Sequence, residues 1–139
     1  MADIATHRTV NAHWEGGMRS AVEAGEFRIV SDEPPSAGGA NTGPQPTDLF
    51  LASIASCFVL AVVWTARRRG VNLPDLHVNV VGTYDGPKFS HIDIEVVSRA
   101  PTAVLDELLP RAERVCYVTN TLREPPRLWV GRRGADEEY

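Results

Sequence analysis

The sequence predicts an α+β fold in which antiparallel strands are partly segregated from two helices. Several segments alternate between apolar and polar residues, which is typical of strands with one solvent-exposed face. Two other segments have the apolar pattern and the terminal signals of helices. The predicted order β-β-β-α-β-β-α-β favours antiparallel pairing over a doubly wound parallel sheet. A chain of 139 residues is expected to form a single domain, residues 1–139.

Three short strands are predicted in the N-terminal third, separated by glycine-containing turns. They cover residues 8–14, 18–23 and 27–30 and would form an antiparallel meander. Residues 31–45 are rich in Pro, Gly, Ser and Asn, which predicts a segment without regular structure. A linker and a loop that lines a pocket both fit this composition.

A long helix is predicted over residues 46–69, and its start and end signals are clear. Pro46 suits a first helical turn, and Asp48 places a negative charge at the positive end of the helix dipole. Cations and a glycine mark the other end: Arg67, Arg68, Arg69 and Gly70.

The helix contains a charge-free apolar run from Leu49 to Trp64. Such a helix is buried in a core or spans a membrane, and this run is shorter than the 18 or more residues that a span requires. Because a small domain cannot easily cover it on every side, we expect a second copy of the chain, in a homodimer, to help to bury it.

The second half begins with the clearest strand prediction, a hairpin over residues 76–84 and 89–97. A second helix is expected over residues 102–120, with a kink or a break at Pro110. A last strand is predicted at residues 127–131, before a charged tail.

Composition excludes several classes of function. The net charge is −4 and no basic patch is evident, so neither nucleic-acid binding nor a membrane partner is expected. Residues 1–8 lack the apolar stretch of a signal peptide, which favours a cytoplasmic location. Two isolated cysteines do not form a zinc motif, so no metal or other cofactor is expected. The four histidines lack metal-ligand spacing. A hydrolase is the least favoured hypothesis, since no G-x-S-x-G motif supports it.

Cys57 and Cys116 are the main candidates for chemistry, since each lies on the apolar face of a predicted helix. If the helices pack together, the thiols can meet within disulfide range. Their alternative role is that of small core residues. A thiol in apolar surroundings is inert without a nearby cation. Arg19 and Arg28 are the candidate cations, and Asp48 could orient one of them, although ordinary surface charges are the simpler reading for all three.

Three segments give the chain a resemblance to the OsmC-like family, which includes osmotically inducible protein C and organic hydroperoxide resistance proteins. They are A-H-W-E-G at 12–16, G-P-Q-P-T-D-L-F-L-A-S-I-A-S-C-F at 43–58 and V-C-Y-V-T-N-T-L at 115–122. The resemblance covers nearly the whole chain. It implies an intertwined α+β homodimer with two central helices and with active sites at the dimer interface.

The resemblance also implies a thiol-dependent peroxidase. Cys57 would attack an organic hydroperoxide and become a sulfenic acid, and Cys116 would resolve it as a disulfide. A dithiol reductant, lipoyl-based in hydroperoxide resistance members, would restore the thiols. The chain departs from the family at Thr47, where a glutamate usually pairs with the activating arginine, and at Tyr117, where a proline often follows the second cysteine.

Two hypotheses therefore stand. The first is a cysteine-based hydroperoxide reductase with Cys57, Cys116, Arg19 and Asp48 as site residues. The alternative is a non-catalytic or redox-sensing dimer that binds an apolar small molecule between its helices.

Overall fold

The structure, a computed structural model, describes residues 6–137 and has the predicted α+β class. Residues 1–5, which belong to the segment without a signal-peptide pattern, and residues 138–139 of the charged tail lie outside the described part. Strands and helices follow one another in the order β-β-β-α-β-β-α-α. All predicted elements except the last strand are present.

The three N-terminal strands form the predicted antiparallel meander. They are β1 (Val10–Trp14), β2 (Ser20–Ala24) and β3 (Phe27–Ser31), and β2 lies in the centre of the sheet. The register pairs Ala12 with Val22 across the first two strands. Tight turns with left-handed glycines connect the strands, as the sequence predicted.

The segment after β3 is a fixed loop with one short 3-10 turn at Pro35–Ala37. Asp32 is 2% exposed and holds the loop together. Its carboxylate accepts hydrogen bonds from the Thr42 hydroxyl at 2.6 Å, the Thr42 amide at 3.1 Å and the Glu33 amide at 2.8 Å. A Cβ at Gly39 would lie 1.8 Å from the Glu33 carbonyl oxygen, so the loop closes only around a glycine.

The hydrogen bonds to Asp32, chiefly from the Thr42 side chain, lower the pKa of this carboxyl from 3.8 to about 2. Because the folded pKa is depressed, the ionised group stabilises the fold above pH 3.8, and this contribution is lost as the pH falls towards 2. We expect Asp32→Asn to lower the melting temperature at pH 7. The difference in melting temperature between this variant and the wild type should become smaller between pH 4 and pH 2.

Differential scanning calorimetry across this pH range measures the gap. The matched control is Asp85→Asn, since Asp85 is exposed and a surface substitution of this kind shifts the melting temperature by no more than about 2 °C. A gap that stays constant from pH 7 to pH 2 would contradict the role of the Asp32 charge.

Helix α1 covers Pro46–Arg68, within one residue of its predicted span. By length and composition alone it could cross a membrane. Its inner face is nevertheless buried in the protein, and these residues are Ile54, Phe58, Ala61, Val62, Thr65 and Ala66. On the opposite face Leu60 and Trp64 are 63% and 51% exposed.

Strands β4 (His77–Asp85) and β5 (Lys88–Val97) form the predicted two-stranded hairpin. Along β5 the isoleucines Ile92 and Ile94 are half-buried, whereas Asp93 and Glu95 are exposed. The alternation of the sequence therefore gives the two faces of the hairpin correctly.

The predicted second helix is divided into α2 (Thr102–Val115) and α3 (Tyr117–Arg123). The break is not at Pro110, where the prediction put it, because α2 continues through that proline. It lies at Cys116, whose backbone is extended at φ −81° and ψ 110°. This single non-helical residue ends one helix and starts the next.

The prediction of a strand at residues 127–131 is wrong, since this segment has no regular structure. Leu128, Trp129 and Val130 are 84–88% exposed. A strand needs a neighbour for its backbone hydrogen bonds, and within residues 6–137 this apolar segment pairs with none.

Two compact units can be distinguished, each built from two stretches of the chain. Within the described part of the chain, the first consists of residues 6–53 and 80–92, and the second consists of residues 54–79 and 93–137. The core of the second unit consists of Phe58, Ala61 and Val62 on α1, Ala112 on α2, and Cys116. The single-domain organisation stays a prediction.

Candidate active site

The structure brings the two predicted cysteines together, although 59 positions separate them in the chain. Both are free thiols, and their sulfur atoms lie 3.3 Å apart. Cys57 is half-buried near the middle of α1, whereas Cys116 is completely buried at the junction of α2 and α3. The pair is therefore within S–H···S hydrogen-bonding distance, and one sulfur is more accessible than the other.

The break at Cys116 places polar groups around the sulfur pair. Backbone N–H groups of Val118 and Tyr117, at the start of α3, act to lower the pKa of Cys57. The Thr119 side chain and the N–H groups of Thr119 and Val118 lower the pKa of Cys116, and the Thr119 hydroxyl donates a hydrogen bond to the Cys116 carbonyl oxygen at 3.3 Å. These N–H groups are free because the first N–H groups of a helix have no partner inside it.

The surroundings give the two thiols different acidities. Burial raises the pKa of Cys57, and its hydrogen bond to the Cys116 thiol raises it further. Burial opposes the ionisation of Cys116 as well, but the donors from Thr119 and the thiol of Cys57 outweigh it and lower its pKa. When the pair loses its first proton, the negative charge is therefore favoured on the Cys116 sulfur, and the remaining proton is favoured on the Cys57 sulfur.

The two candidate arginines share one carboxylate in the N-terminal meander. Arg19 Nε donates to Glu15 Oε1 at 3.0 Å, and Arg28 Nη2 donates to Glu15 Oε2 at 2.6 Å. Glu15 therefore orients both guanidinium groups. Arg19 also lines a cavity of about 230 Å³ in the first unit, together with Gly16, Gly17, Met18, Asp32 and residues 38–40 and 42.

The predicted orienting residue, Asp48, lies exposed in the first turn of α1. Within residues 6–137 it forms no ion pair, so its role stays a prediction. Its neighbour Thr47 shares a 2.7 Å hydrogen bond with the Tyr84 hydroxyl. Tyr84 in turn stacks on Phe89 at 4.7 Å between ring centres.

An apolar cavity of about 540 Å³ lies next to the cysteine-bearing part of α1. Its apolar lining residues are Phe58, Ile94, Val96, Leu109 and Pro110, and its charged ones are Asp106 and Glu113. This volume is in the range of small-molecule sites. It suits an apolar group better than an anion, since the two charged residues of the lining are acidic.

No cluster of His, Cys, Asp and Glu capable of holding a metal ion occurs in the described part of the chain. The chemistry available at the sulfur pair is therefore that of the thiols themselves, oxidation and disulfide exchange.

Sequence reasoning missed two features of the candidate residues. It did not identify Glu15 as the partner of Arg19, although the i, i+4 spacing across the glycine turn was a usable signal. It also expected only a cation to assist the thiol, and it overlooked the N–H groups at the start of α3. No signal in the sequence located the helix break at Cys116 rather than at Pro110.

Comparison with known proteins relates the chain to a family of known fold. The model of the family described as OsmC-like protein matches residues 38–131. An uncharacterized protein of Bacillus subtilis (strain 168), YmaD, is 23% identical over 130 residues, which cover 84% of this chain and 87% of that protein.

Two solved structures show the same fold at low identity. The OsmC-like protein from Mycoplasma pneumoniae is 18% identical with a TM-score of 0.75, over 88% of this chain and 91% of the other. An organic hydroperoxide resistance protein OsmC from Legionella pneumophila is 23% identical with a TM-score of 0.62, over 87% and 92%. On the match to the family model, the chain belongs to the OsmC-like protein family.

Proposed function

We propose that the protein is a thiol-dependent peroxidase that reduces organic hydroperoxides. The observation that carries the proposal is the pair of free sulfur atoms 3.3 Å apart, of which Cys57 is the more accessible. Membership of the OsmC-like family supports a redox-related or hydroperoxide-resistance role. The Legionella neighbour is itself called an organic hydroperoxide resistance protein and a predicted redox protein.

The proposed reaction has three steps. The Cys57 thiolate attacks one peroxide oxygen, the O–O bond breaks, and the leaving alkoxide takes a proton to become an alcohol. The Cys116 thiol then displaces hydroxide from the Cys57 sulfenic acid, and a disulfide and water form. A dithiol, for which we propose a lipoyl-type compound, reduces the disulfide by two exchange steps and is itself oxidised to a disulfide.

For Cys57 to become the thiolate, the proton that the ionised pair retains has to move from the Cys57 sulfur to the Cys116 sulfur. The 3.3 Å separation supports such a transfer, since the two thiols are hydrogen-bonded to each other. We retain Arg19 or Arg28 as the cation that favours the reactive form, with Glu15 as the carboxylate that orients both. For Asp48 we propose a supporting charge at the start of α1.

The proposed assembly is a cytoplasmic homodimer of single-domain chains. Exposed apolar side chains support a second copy: Leu60 on α1, and Leu128, Trp129 and Val130 near the C-terminus. Burial of such groups drives association, at roughly 25 cal/mol per Å² of apolar surface removed from water.

A thiol titration tests the proposed function. Addition of one equivalent of cumene hydroperoxide to the reduced protein should remove two titratable thiols per chain, without aggregation, and release one equivalent of alcohol. A dithiol should restore both thiols. Retention of both thiols after exposure to the peroxide would refute the peroxidase.

The apolar cavity beside Phe58 favours the second candidate, a dimer that binds an apolar molecule and does not turn it over. In that case both thiols would survive the peroxide, while the apolar compound would still bind. The same titration therefore separates the two functions.

A further inference from the structure

A second concave site lies in the same unit as the sulfur pair, between the C-terminal parts of α1 and α2. Its volume is about 610 Å³, within the range of small-molecule sites. Its lining combines four arginines with one exposed indole and two smaller residues: Trp64, Thr65, Arg68, Arg69, Arg111, Arg114 and Val115. No cysteine belongs to this lining, so the site is distinct from the proposed peroxidase centre.

The cavity concentrates positive charge in a protein whose net charge is −4. Arg69 forms an ion pair with Glu107 at 3.0 Å, and the other three arginines have no carboxylate partner within residues 6–137. Guanidinium groups that converge on a concave surface repel one another and raise the local concentration of anions. Their planar donors match the oxygens of a phosphate or a carboxylate.

The helix dipoles explain only part of this arrangement. Arg68 and Arg114 lie in the last turns of their helices, where cations are favoured. Arg111 lies before the last turn of α2, and the dipole effect fades within that turn. The helix dipole also does not require the four arginine side chains to face one cavity. Each could compensate the negative end of its helix equally well while pointing into solvent.

Trp64 gives the cavity an aromatic wall. Its side chain is 51% exposed, and the Arg68 guanidinium carbon lies 4.7 Å from the centre of the ring. In this cation–π contact the guanidinium lies over one face of the indole, and both side chains line the cavity. A flat ring can stack there while its charged group reaches the arginines.

We propose that this cavity binds a small organic phosphate that carries a flat ring. The phosphate would lie against Arg111 and Arg114, and the ring against Trp64. Nucleoside phosphates and aryl phosphates share this chemistry. The proposal goes beyond the peroxidase function and does not depend on it, since neither cysteine takes part.

The probe for the test is 1-naphthyl phosphate, and calorimetry at low salt measures its affinity for the protein. We expect one site per chain and an affinity at least about tenfold above that of inorganic phosphate or of 1-naphthol, because each of these supplies only half of the recognised group. The affinity should fall as the salt concentration rises. A second titration uses adenosine monophosphate. An affinity equal to that of 1-naphthyl phosphate would assign the site to nucleotides, and a lower affinity would assign it to aryl phosphates.

A matched pair of double variants locates the site. Arg111→Gln/Arg114→Gln should weaken the binding of 1-naphthyl phosphate by at least about tenfold. Arg8→Gln/Arg127→Gln removes the same charge from two exposed residues outside the cavity and should change the affinity by less than roughly twofold. Circular dichroism checks that both variants are folded.

The proposal fails if the two double variants lose affinity equally, which would indicate general attraction to positive charge. It also fails if 1-naphthyl phosphate does not bind, or if inorganic phosphate binds as tightly. The variant Cys57→Ser should bind the probe as the wild type does, so a failure of the peroxidase leaves this result unaffected.

Discussion

Cys57→Ser should lower the turnover of cumene hydroperoxide by at least about a thousandfold, because the proposed nucleophile is lost and no second accessible thiol replaces it. Cys116→Ser should behave differently. Its Cys57 should still reduce about one equivalent of peroxide and then stop at the sulfenic acid, since the resolving thiol is absent. Alcohol release, measured with and without a dithiol, distinguishes one round from many, and dimedone labelling detects the sulfenic acid.

The control for these variants is Ser56→Ala, an exposed position on α1 next to Cys57, which should leave turnover unchanged. If Cys57→Ser released one equivalent of alcohol and Cys116→Ser released none, Cys116 would be the attacking thiol and Cys57 the resolving one. The depressed pKa of Cys116 makes this comparison necessary, because ionisation is favoured on the inner sulfur and access is favoured on the outer one. Full turnover in Cys57→Ser would refute the mechanism.

Phe58→Ala should lower the free energy of unfolding by about 3–5 kcal/mol. Phe58 is 5% exposed and packs in the cluster that joins α1 to α2, so truncation leaves a cavity that the neighbouring helices cannot fill. A loss of this size is a large part of the total stability of a small domain, about 5–15 kcal/mol. Urea unfolding followed by circular dichroism measures it as a lower midpoint with an unchanged slope.

Phe27→Ala is the matched control, since Phe27 is 68% exposed and its truncation should cost no more than about 0.5 kcal/mol. If Phe58→Ala does not fold at all, Phe58→Leu gives a measurable intermediate, with an expected loss of about 1–2 kcal/mol. Equal losses at positions 58 and 27 would contradict the assigned core.

The elements that the sequence predicted well have strong local signals. Helix α1 has a proline in its first turn and cations at its end, and its bounds were predicted to within one residue. The β4–β5 hairpin has strict alternation around a short turn, and its faces were correct. In these segments the local preference and the tertiary packing agree, so the pattern alone is sufficient.

The errors occurred where a distant contact decides the outcome. Pro110 favours a break, but α2 remains continuous through it and the chain instead bends at Cys116, where the buried sulfur meets α1. The apolar residues 127–131 have the composition of a strand, yet no described strand pairs with them. Composition shows what a segment can form, whereas the presence of a partner depends on the rest of the fold.

The candidate site was predicted in part for the same reason. Two cysteines on apolar faces of predicted helices indicated that Cys57 and Cys116 could meet if the helices pack together, and the structure places their sulfur atoms 3.3 Å apart. Several of the groups that tune them are backbone N–H groups, which every residue except proline carries, so side-chain identity gives little sign of them. Glu15 was overlooked because charged residues in a turn are usually solvated, and only the fold brings Arg28 to it.

The closeness of the two sulfur atoms also affects the unfolded chain. Oxidation would close a covalent ring between Cys57 and Cys116, which are 59 positions apart, and this ring contains both strands of the second sheet and all of α2. A ring of that size restricts the disordered chain by about 4 kcal/mol of loop entropy, while it requires little movement in the folded one. The oxidised protein would therefore resist unfolding and proteolysis better than the reduced one.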